Sequence, residues 1–417
     1  MRGDEEMNDT NNQTNNSNKT LVIGLLIGLV TGICLSIFAW SIYTMTKPRT
    51  SAGLSYISNE SGTVSWNAVE DKLTQMQRVI DAYYKNEYSE EDLVEGLYAG
   101  YMSGLGDPYS VYYTKEEFGE MLESSSGIYY GVGAYLNQDA ETGMVRILRP
   151  IKGTPAEEAG IKSGDLIVEV DGEDVSKEDT TLVSSKIRGP EGTEVEIKMK
   201  REGESELLTF HLVRTEIETP TIEYEMKEDH IGYLSILEFD DITLPQFEEA
   251  INALTAEGME SLILDLRGNP GGNLDTVVKI ADLLLPKGLV VYTEDKNGAR
   301  TEFTSDASQV VEMPLVVLID GNSASAAEIL AGSIQDYKIG TLLGTTTYGK
   351  GVVQQVIPLG DGTGVKVTIS KYFTPNGNDI DGIGIEPDVE LEFDMDAYEQ
   401  DETADNQLDK AIEMLKK

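Results

Sequence analysis

The sequence predicts a multidomain α/β protein with an N-terminal membrane anchor, a small helical unit, a β-barrel-like domain and an α/β core with a β extension. Three observations support this prediction. Residues 21–45 are apolar and uncharged, residues 124–215 contain short apolar strands separated by turns, and strands alternate with helical segments after residue 216.

Composition excludes several classes of function. The 417-residue chain has a formal net charge of −42, which repels nucleic-acid phosphates, so no nucleic-acid partner is expected. Two histidines and one cysteine are too few for a zinc site. The run "NGNDIDG" fails as a calcium loop because Gly377 occupies its first ligand position. No metal and no cofactor are predicted.

The first 65 residues predict a tail, an anchor and a linker. Residues 1–19 are rich in Asn and Thr and predict a disordered tail. As a helix, the apolar run of segment 20–45 extends roughly 37 Å, enough to cross a bilayer. A cleaved signal peptide is the alternative, but no clear A-x-A site follows the run. Residues 46–65 are rich in Ser, Gly and Pro and indicate a linker. Two basic residues lie on each side of the apolar run, so the flanking charges do not indicate the orientation of the anchor in the membrane.

Residues 66–123 predict a small helical unit. The spacing of Leu73, Met76, Ile80 and Tyr83 is that of an amphipathic helix, and Ser89 is placed to cap a second one. The unit includes the turn-rich loop "GLGDPYSVYYT" at 104–114, where Asp-Pro excludes helix.

Residues 124–215 contain five apolar strands and one short helix at "TPAEEAG", for which Thr154 is the predicted cap. The strand order around "GIKSGDLIVEVDG" resembles a PDZ domain. The resemblance implies that the backbone of Tyr130, Gly131, Val132 and Gly133 binds the carboxylate of a peptide C-terminus while the peptide adds a strand. A β-barrel whose glycines only make turns is the alternative interpretation.

Residues 216–390 predict an α/β domain with its loops gathered at strand ends, where such sheets place their sites. "VVQQVIPL" and "GVKVTISKYF" predict a β-pair, and residues 391–417 predict an acidic segment ending in a short helix. In "DGNSASAAEIL" (320–330), a buried strand gives way to a helix with two serines at the turn.

A serine nucleophile requires a base. His211 lies in a predicted strand and His230 in a polar segment, so neither is placed at a strand-end loop. Lys350, between two glycines in "TTTYGKGVVQ", is placed at such an end, and burial would lower its pKa enough to supply a neutral amine. On position alone, a lysine between glycines is usually an ordinary loop cation.

The segments "NSASAAEILAGSIQDY" and "GTTTYGKGVVQ" resemble the carboxyl-terminal processing peptidases, serine–lysine enzymes that carry a PDZ domain. "GDPYSVYYT", "LDLRGNPGG" and "YFTPNGNDIDGIGIEPD" extend the resemblance over most of the chain. It implies that Ser325, which lies 25 residues before Lys350, is the nucleophile, rather than Ser323. It also implies that Gln354 positions the lysine amine. Many relatives have a serine where this chain has Ala327, but that serine is not the nucleophile.

The oxyanion hole is predicted from two sources. Ala326 follows the nucleophile directly and supplies one backbone N–H by its position. The family pattern assigns the second donor to the glycine pair after "LDLRGNP", most directly to Gly271.

The resemblance implies an endopeptidase that recognises protein C-termini, with a short cytoplasmic tail and an extracytoplasmic catalytic body. Proteins or peptides with exposed C-termini are the expected partners, and a homo-oligomer is compatible with the sequence. Two alternatives remain: a catalytically silent PDZ scaffold, and a protease of the Ser-His-Asp type.

Overall fold

The structure, a computed structural model, describes residues 64–140, 142–306, 311–401 and 403–416. The predicted tail 1–19 and anchor 20–45 lie outside these residues, as does most of the predicted linker. Within the described ranges, no helix combines the length and the apolar character needed to cross a membrane.

The chain divides into two compact units, residues 1–87 and 88–417. The described part of the first unit contains helix α1 (Trp66–Tyr83), where the apolar spacing predicts it.

The second unit begins with α2 (Glu90–Ser103), β1 (Val111–Tyr113) and α3 (Lys115–Ser126). The Ser89 hydroxyl accepts a hydrogen bond from the Asp92 N–H at 3.2 Å, which is the cap that the sequence predicts. The loop before β1 is fixed by Ser110, a buried residue whose hydroxyl accepts from the Thr368 N–H at 3.0 Å.

The region that resembles a PDZ domain is a sheet bracketed by a two-stranded ribbon. The ribbon pairs β2 (Ile128–Gly131) with β9 (Thr215–Glu218). The sheet has the order β3-β4-β5-β7-β8, with β6 beside β5. Its elements are β3 (Ala134–Gln138), β4 (Val145–Pro150), α4 (Pro155–Glu158), β5 (Leu166–Val170), β6 (Glu173–Asp174), α5 (Thr180–Ile187), β7 (Glu194–Lys200) and β8 (Leu208–Val213). Alternate residues of β7 are buried, as expected for a sheet with one covered face.

Thr154 does not act as the predicted side-chain cap of α4. Its hydroxyl lies 2.6 Å from the Ile151 carbonyl oxygen and 3.0 Å from that of Gly133, and it can donate to either. The hydroxyl is therefore directed at these two carbonyl groups and does not accept from the N–H groups at the helix start. The contact with Gly133 fixes the start of β3.

The core after residue 216 is built on a six-stranded sheet of order β10-β11-β12-β15-β16-β19. The strands from β11 onward are parallel, and β10 is an antiparallel edge. Its strands are β10 (Ile222–Met226), β11 (Ile231–Ile236), β12 (Ser261–Asp265), β15 (Leu315–Ile319), β16 (Thr341–Gly344) and β19 (Val389–Glu390), and a short 3₁₀ turn, Glu228–His230, precedes β11.

Helices cover both faces of this sheet because successive residues of each buried strand point to opposite sides. Val317 and Ile319 pack with helices α6 (Thr243–Ala256), α7 (Leu274–Leu284) and α8 (Ala326–Tyr337). Val316 and Leu318 pack on the other face with α10 (Asn406–Leu415), which follows α9 (Met395–Gln400). The segment 391–417 thus contains two helices, and the second completes the core.

A smaller antiparallel sheet flanks the core. It has the order β1-β18-β13-β14, and β17 also pairs with β18. Its core-domain strands are β13 (Gly288–Asp295), β14 (Arg300–Ser305), β17 (Val352–Pro358) and β18 (Gly364–Phe373). β17 and β18 form the predicted β-pair.

Candidate active site

Ser325 directly precedes α8, at the end of the loop that leaves the buried strand β15. Its backbone has φ 55° and ψ −112°, a conformation that costs a non-glycine residue about 1–3 kcal/mol. Such strain persists only where the surroundings fix the residue, and it is common at active sites. The side chain is half-buried at the carboxyl ends of the parallel strands.

Ser323, two residues earlier, has a different environment. It is fully buried, its hydroxyl donates to the Leu266 carbonyl oxygen at 2.8 Å, and it accepts from the Asp320 N–H at 2.9 Å. This hydroxyl joins two strand ends and is not presented to a substrate.

Glu328 connects the loop of Ser325 with the loop of Lys350. Its fully buried carboxylate accepts four hydrogen bonds: one oxygen binds the N–H groups of Ser325 and Lys350, at 2.8 and 2.9 Å. The other oxygen binds the Thr347 hydroxyl at 2.6 Å and the Gly349 N–H at 2.7 Å. Because one oxygen binds both amides, the backbones of Ser325 and Lys350 are held side by side.

Tyr372, on β18, makes a second connection between the same two loops. Its hydroxyl hydrogen-bonds the Lys350 carbonyl oxygen and lies 3.1 Å from that of Ser325. Burial, with only 1% of the residue exposed, raises the pKa of Tyr372 well above its usual range, so the hydroxyl remains a donor at any working pH.

The Lys350 amine is half-buried, and its Nζ lies 5.0 Å from the centre of the Tyr109 ring. Burial lowers the pKa of this amine, the positive charge of Lys366 lowers it further, and the negative charge of Glu328 opposes both effects. The site thus favours the neutral amine relative to an exposed lysine. Gly351 is required beside it, since a Cβ there would lie 2.4 Å from the Asp381 amide nitrogen.

The side chains predicted to react are not hydrogen-bonded to each other in the described part of the chain. Gln354, predicted to position the amine, instead directs its Nε2 to the Val352 carbonyl oxygen at 3.4 Å and the Thr368 hydroxyl at 3.3 Å. The structure places Ser325 and Lys350 in adjacent loops, and their chemical pairing stays a prediction.

The turn at 271–272 contacts the start of α8. A Cβ on Gly271 would lie 2.7 Å from the Ser325 Cβ and 2.9 Å from the Ala326 nitrogen, so only glycine fits. However, the Gly271 N–H donates to Asn269 Oδ1 at 2.8 Å and is already used. Among the described residues, the N–H groups of Ala326 and Gly272 have no acceptor. Gly272 is therefore a second donor candidate that the sequence did not single out.

The predicted carboxylate-binding loop lies at one end of a groove of about 280 Å³ between β3 and α5. Gly131, Val132 and Gly133 line the groove, and the N–H groups of Val132 and Gly133 have no acceptor within the described ranges. Tyr130 points elsewhere: its hydroxyl lies 3.3 Å from Glu216, and the preceding residue, Tyr129, lines the groove instead.

Both histidines are exposed and remote from the carboxyl ends of the core strands. His211 lies on β8 of the PDZ sheet, near Glu196. His230 precedes β11 and thus lies at the opposite edge of the parallel sheet from Ser325.

Three segments match known families. Residues 230–391 match Peptidase family S41, residues 146–201 match the PDZ domain, and residues 31–117 match the activating protease CtpB N-terminal domain. Carboxy-terminal processing protease CtpB of Bacillus subtilis is 34% identical over 355 residues, which cover 84% of this chain and 73% of that protein. The chain belongs to the carboxy-terminal processing proteases of family S41. It is a serine protease with a PDZ domain.

A second curated relative and one solved structure are also similar to this chain. The carboxyl-terminal-processing protease of Synechocystis sp. is 34% identical over 319 residues, which cover 75% of each protein. The solved structure titled photosystem II D1 C-terminal processing protease is 29% identical, with a TM-score of 0.46, and the match covers 79% of this chain and 87% of that one.

The sequence analysis missed four side chains of the protease site: Glu328, Thr347, Tyr372 and Tyr109. Glu328 left one signal, since it is a carboxylate within the apolar helix "AAEILAG" and its burial requires donors nearby. Tyr109 and Tyr372 lie in the segments "GDPYSVYYT" and "YFTPNGNDIDGIGIEPD" that carry the resemblance, but nothing local marks their contacts with the site. Tyr109 reaches it because β1 pairs with β18, and Tyr372 because β18 pairs with β17.

Proposed function

We propose that this protease is a membrane-anchored endopeptidase whose PDZ domain binds protein C-termini and whose Ser325 and Lys350 act as nucleophile and base. The observation that supports the pair is the shared Glu328 oxygen. It holds the two backbones side by side, and the proposal requires that rotation of the two side chains brings the hydroxyl and the amine together. The lowered pKa of the lysine then provides the proton acceptor.

The reaction has two halves. Neutral Lys350 takes the proton of Ser325, and Oγ attacks the scissile carbonyl carbon to form a tetrahedral oxyanion. The N–H groups of Ala326 and of the 271–272 turn stabilise that charge. The carbon–nitrogen bond breaks, the protonated lysine returns its proton to the leaving amine, and an acyl-enzyme remains. Water, deprotonated by the same lysine, then releases the acid and restores the serine.

The test uses three variants on an unfolded substrate. Ser325→Ala and Lys350→Ala should each lower turnover by about 10⁴-fold or more while C-terminal peptide binding persists, because each removes a reacting group. His230→Ala, at an exposed site, should retain activity. Loss of turnover in His230→Ala alone contradicts the lysine mechanism. A wild-type chain that binds peptides and cleaves nothing would instead be a PDZ scaffold.

Residues 20–45 form the proposed single-pass anchor, and the catalytic body faces the extracytoplasmic side. The length and apolarity of the segment support the span. The extracytoplasmic location of the catalytic body is inferred from the family resemblance. Carbonate extraction should leave the full chain in the membrane fraction, and externally added protease should digest the body in spheroplasts. Release by carbonate, or protection from the added protease, contradicts the proposal.

A further inference from the structure

A second cavity, of about 160 Å³, lies outside the catalytic centre. It is bounded by α3, by the start of β2 and by the segment 238–240 that precedes α6. Its lining includes four carboxylates, and we refer to it as the acidic cavity. The lining residues are Glu120, Glu123, Ser124, Gly127, Tyr129, Arg188, Thr219, Glu238 and Asp240.

The cavity contains one cation, and that cation is already paired. Arg188 lies 3.3 Å from the Glu123 carboxylate, and its guanidinium stacks over the Tyr129 ring at 4.6 Å. The carboxylates of Glu238 and Asp240 have no hydrogen bond and no ion pair among the described residues. The lining therefore carries an excess of negative charge on its core-domain side.

Asp240 makes this excess costly because only 5% of the residue is exposed. A carboxylate removed from water without a donor is unstable in its charged form. Burial, together with the charges of Glu238 and Asp241, raises the pKa of Asp240 to about 7. A positively charged group in the cavity would supply the missing partner for both acids.

The acidic cavity adjoins the two places where a substrate chain is expected to bind, the PDZ groove and the candidate active site. Tyr129, Arg188 and Thr219 line both this cavity and the PDZ groove. On the other side, Phe239 lies between the two unpaired acids, and its N–H and carbonyl bind Gly271 and Asn273 at 2.9 and 2.6 Å. The cavity thus lies between the peptide groove and the turn that contacts Ser325.

The donor set favours an organic cation over a metal ion. In the described part of the chain, no group of three or more His, Cys, Asp or Glu side chains has an arrangement that could hold a metal. Lysine and arginine side chains need only one or two acceptors at the end of a long apolar stem, and the Tyr129 ring offers an apolar wall.

We propose that the acidic cavity is a substrate subsite that binds a lysine or arginine side chain of the polypeptide being processed, through Asp240 and Glu238. This inference rests on the proposed function, since it requires a polypeptide chain that engages the PDZ domain and the catalytic centre together. It predicts that the protease distinguishes substrates by a basic residue as well as by their C-termini.

The test measures peptide binding separately from cleavage. The full chain with Ser325→Ala is titrated with peptides of one common C-terminus that carry a single lysine at successive upstream positions. Each peptide is compared with its norleucine counterpart, which has the same stem length and no charge. At one or more positions lysine should bind about tenfold tighter than norleucine, as expected for a charge-assisted hydrogen bond.

Asp240→Asn, added to the Ser325→Ala chain, should reduce this lysine-to-norleucine ratio to less than about twofold, and Glu238→Gln should reduce it in the same direction. Glu249→Gln, an exposed carboxylate on α6, is the matched control and should leave the ratio unchanged. If Asp240→Asn fails to fold, the Glu238→Gln result decides. The inference is overturned by the absence of a lysine preference at every position, or by a preference that survives these substitutions.

Cleavage by the chain with Ser325 intact is measured on the same peptides. Cleavage without any lysine preference in binding overturns the subsite and leaves the proposed function standing. Lysine-dependent binding without cleavage of any peptide overturns the proposed function and supports the subsite.

Discussion

Lys350 and Asp240 are both buried ionisable residues whose pKa values are displaced toward the neutral form, but their surroundings differ. Around Lys350, the neighbouring carboxylate and carbonyl groups are already hydrogen-bonded within the protein. Around Asp240, the nearest charges are the acids Glu238 and Asp241. Asp241 accepts a hydrogen bond from Asn273 at 2.6 Å, but the carboxylates of Glu238 and Asp240 have no partner among the described residues. Burial alone therefore does not define a role. The groups around Lys350 are paired within the protein, whereas the proposed substrate cation would supply the missing partner of Asp240 and Glu238.

The largest expected effect comes from Lys350→Arg. An arginine keeps the positive charge but does not become neutral at working pH, so it cannot accept the serine proton. We expect kcat/KM to fall by about 10³-fold or more, measured with an unfolded protein substrate. Lys366→Arg, which retains charge outside the reacting pair, should change little. Near-normal activity of Lys350→Arg would mean that a group other than Lys350 accepts the serine proton.

Glu328→Gln should have the next largest effect, because an amide replaces a carboxylate that accepts four hydrogen bonds. We expect kcat to fall by about 10- to 100-fold. The Glu328 charge favours protonated Lys350, so its removal should lower the lysine pKa and move the rising limb of the pH–rate profile to lower pH. Exposed Glu386→Gln is the control. A fall in rate without this shift would indicate only a structural role.

Lys366→Met tests the electrostatic part of the comparison. The charge of Lys366 lowers the pKa of Lys350, so removing it should raise that pKa and move the rising limb to higher pH. The rate near neutral pH should fall by about twofold, since the charges interact across a partly solvated site. If the rising limb of the pH–rate profile does not move, the charge of Lys366 has no effect and burial alone sets the pKa of the Lys350 amine.

Asp240→Asn tests the other environment through stability. The folded-state pKa of about 7 exceeds the unfolded value, so the stabilising contribution of protonated Asp240 is full below about pH 4 and is lost as pH rises through 7. The variant should therefore melt about 2–4 °C above wild type at pH 8 and close to it at pH 4, in thermal scans of the full chain. If Asp240→Asn instead melts below wild type at pH 8, the charged Asp240 carboxylate must have a stabilising hydrogen-bond or ion-pair partner within the protein.

The sequence predicted the strand-to-helix turn at Ser325 because β15 is an unbroken apolar run and the following residues are good helix formers. The roles of Ser325 and Lys350 came from the family resemblance, since a lysine between glycines is locally ambiguous. Thr154 shows the limit of local signals. The residue lies at the predicted helix start, but its hydroxyl is directed at the nearby Ile151 carbonyl and at the Gly133 carbonyl, 21 residues away along the chain.

The acidic cavity could not be predicted from the sequence. Its carboxylates come from α3 and from the segment before α6, more than a hundred residues apart along the chain. Glu238 and Asp240 lie in "LEFDD", which resembles an ordinary solvated acidic turn. The end of α3 packs against this turn, where the Asp241 N–H donates to the Ser125 carbonyl oxygen at 3.4 Å, and this packing limits the access of Asp240 to water.

Tyr109 lies against the Lys350 amine, and Ser110 binds β18 through the Thr368 N–H. Both residues precede the PDZ domain, whereas the S41 match begins at residue 230. The minimal catalytic module is consequently discontinuous in the chain, with the PDZ domain inserted between its two parts. A fragment cut to the S41 boundaries would leave the amine without its aromatic cover. Strain applied to the β2–β9 ribbon, where the insertion enters and leaves, would pull on both parts at once.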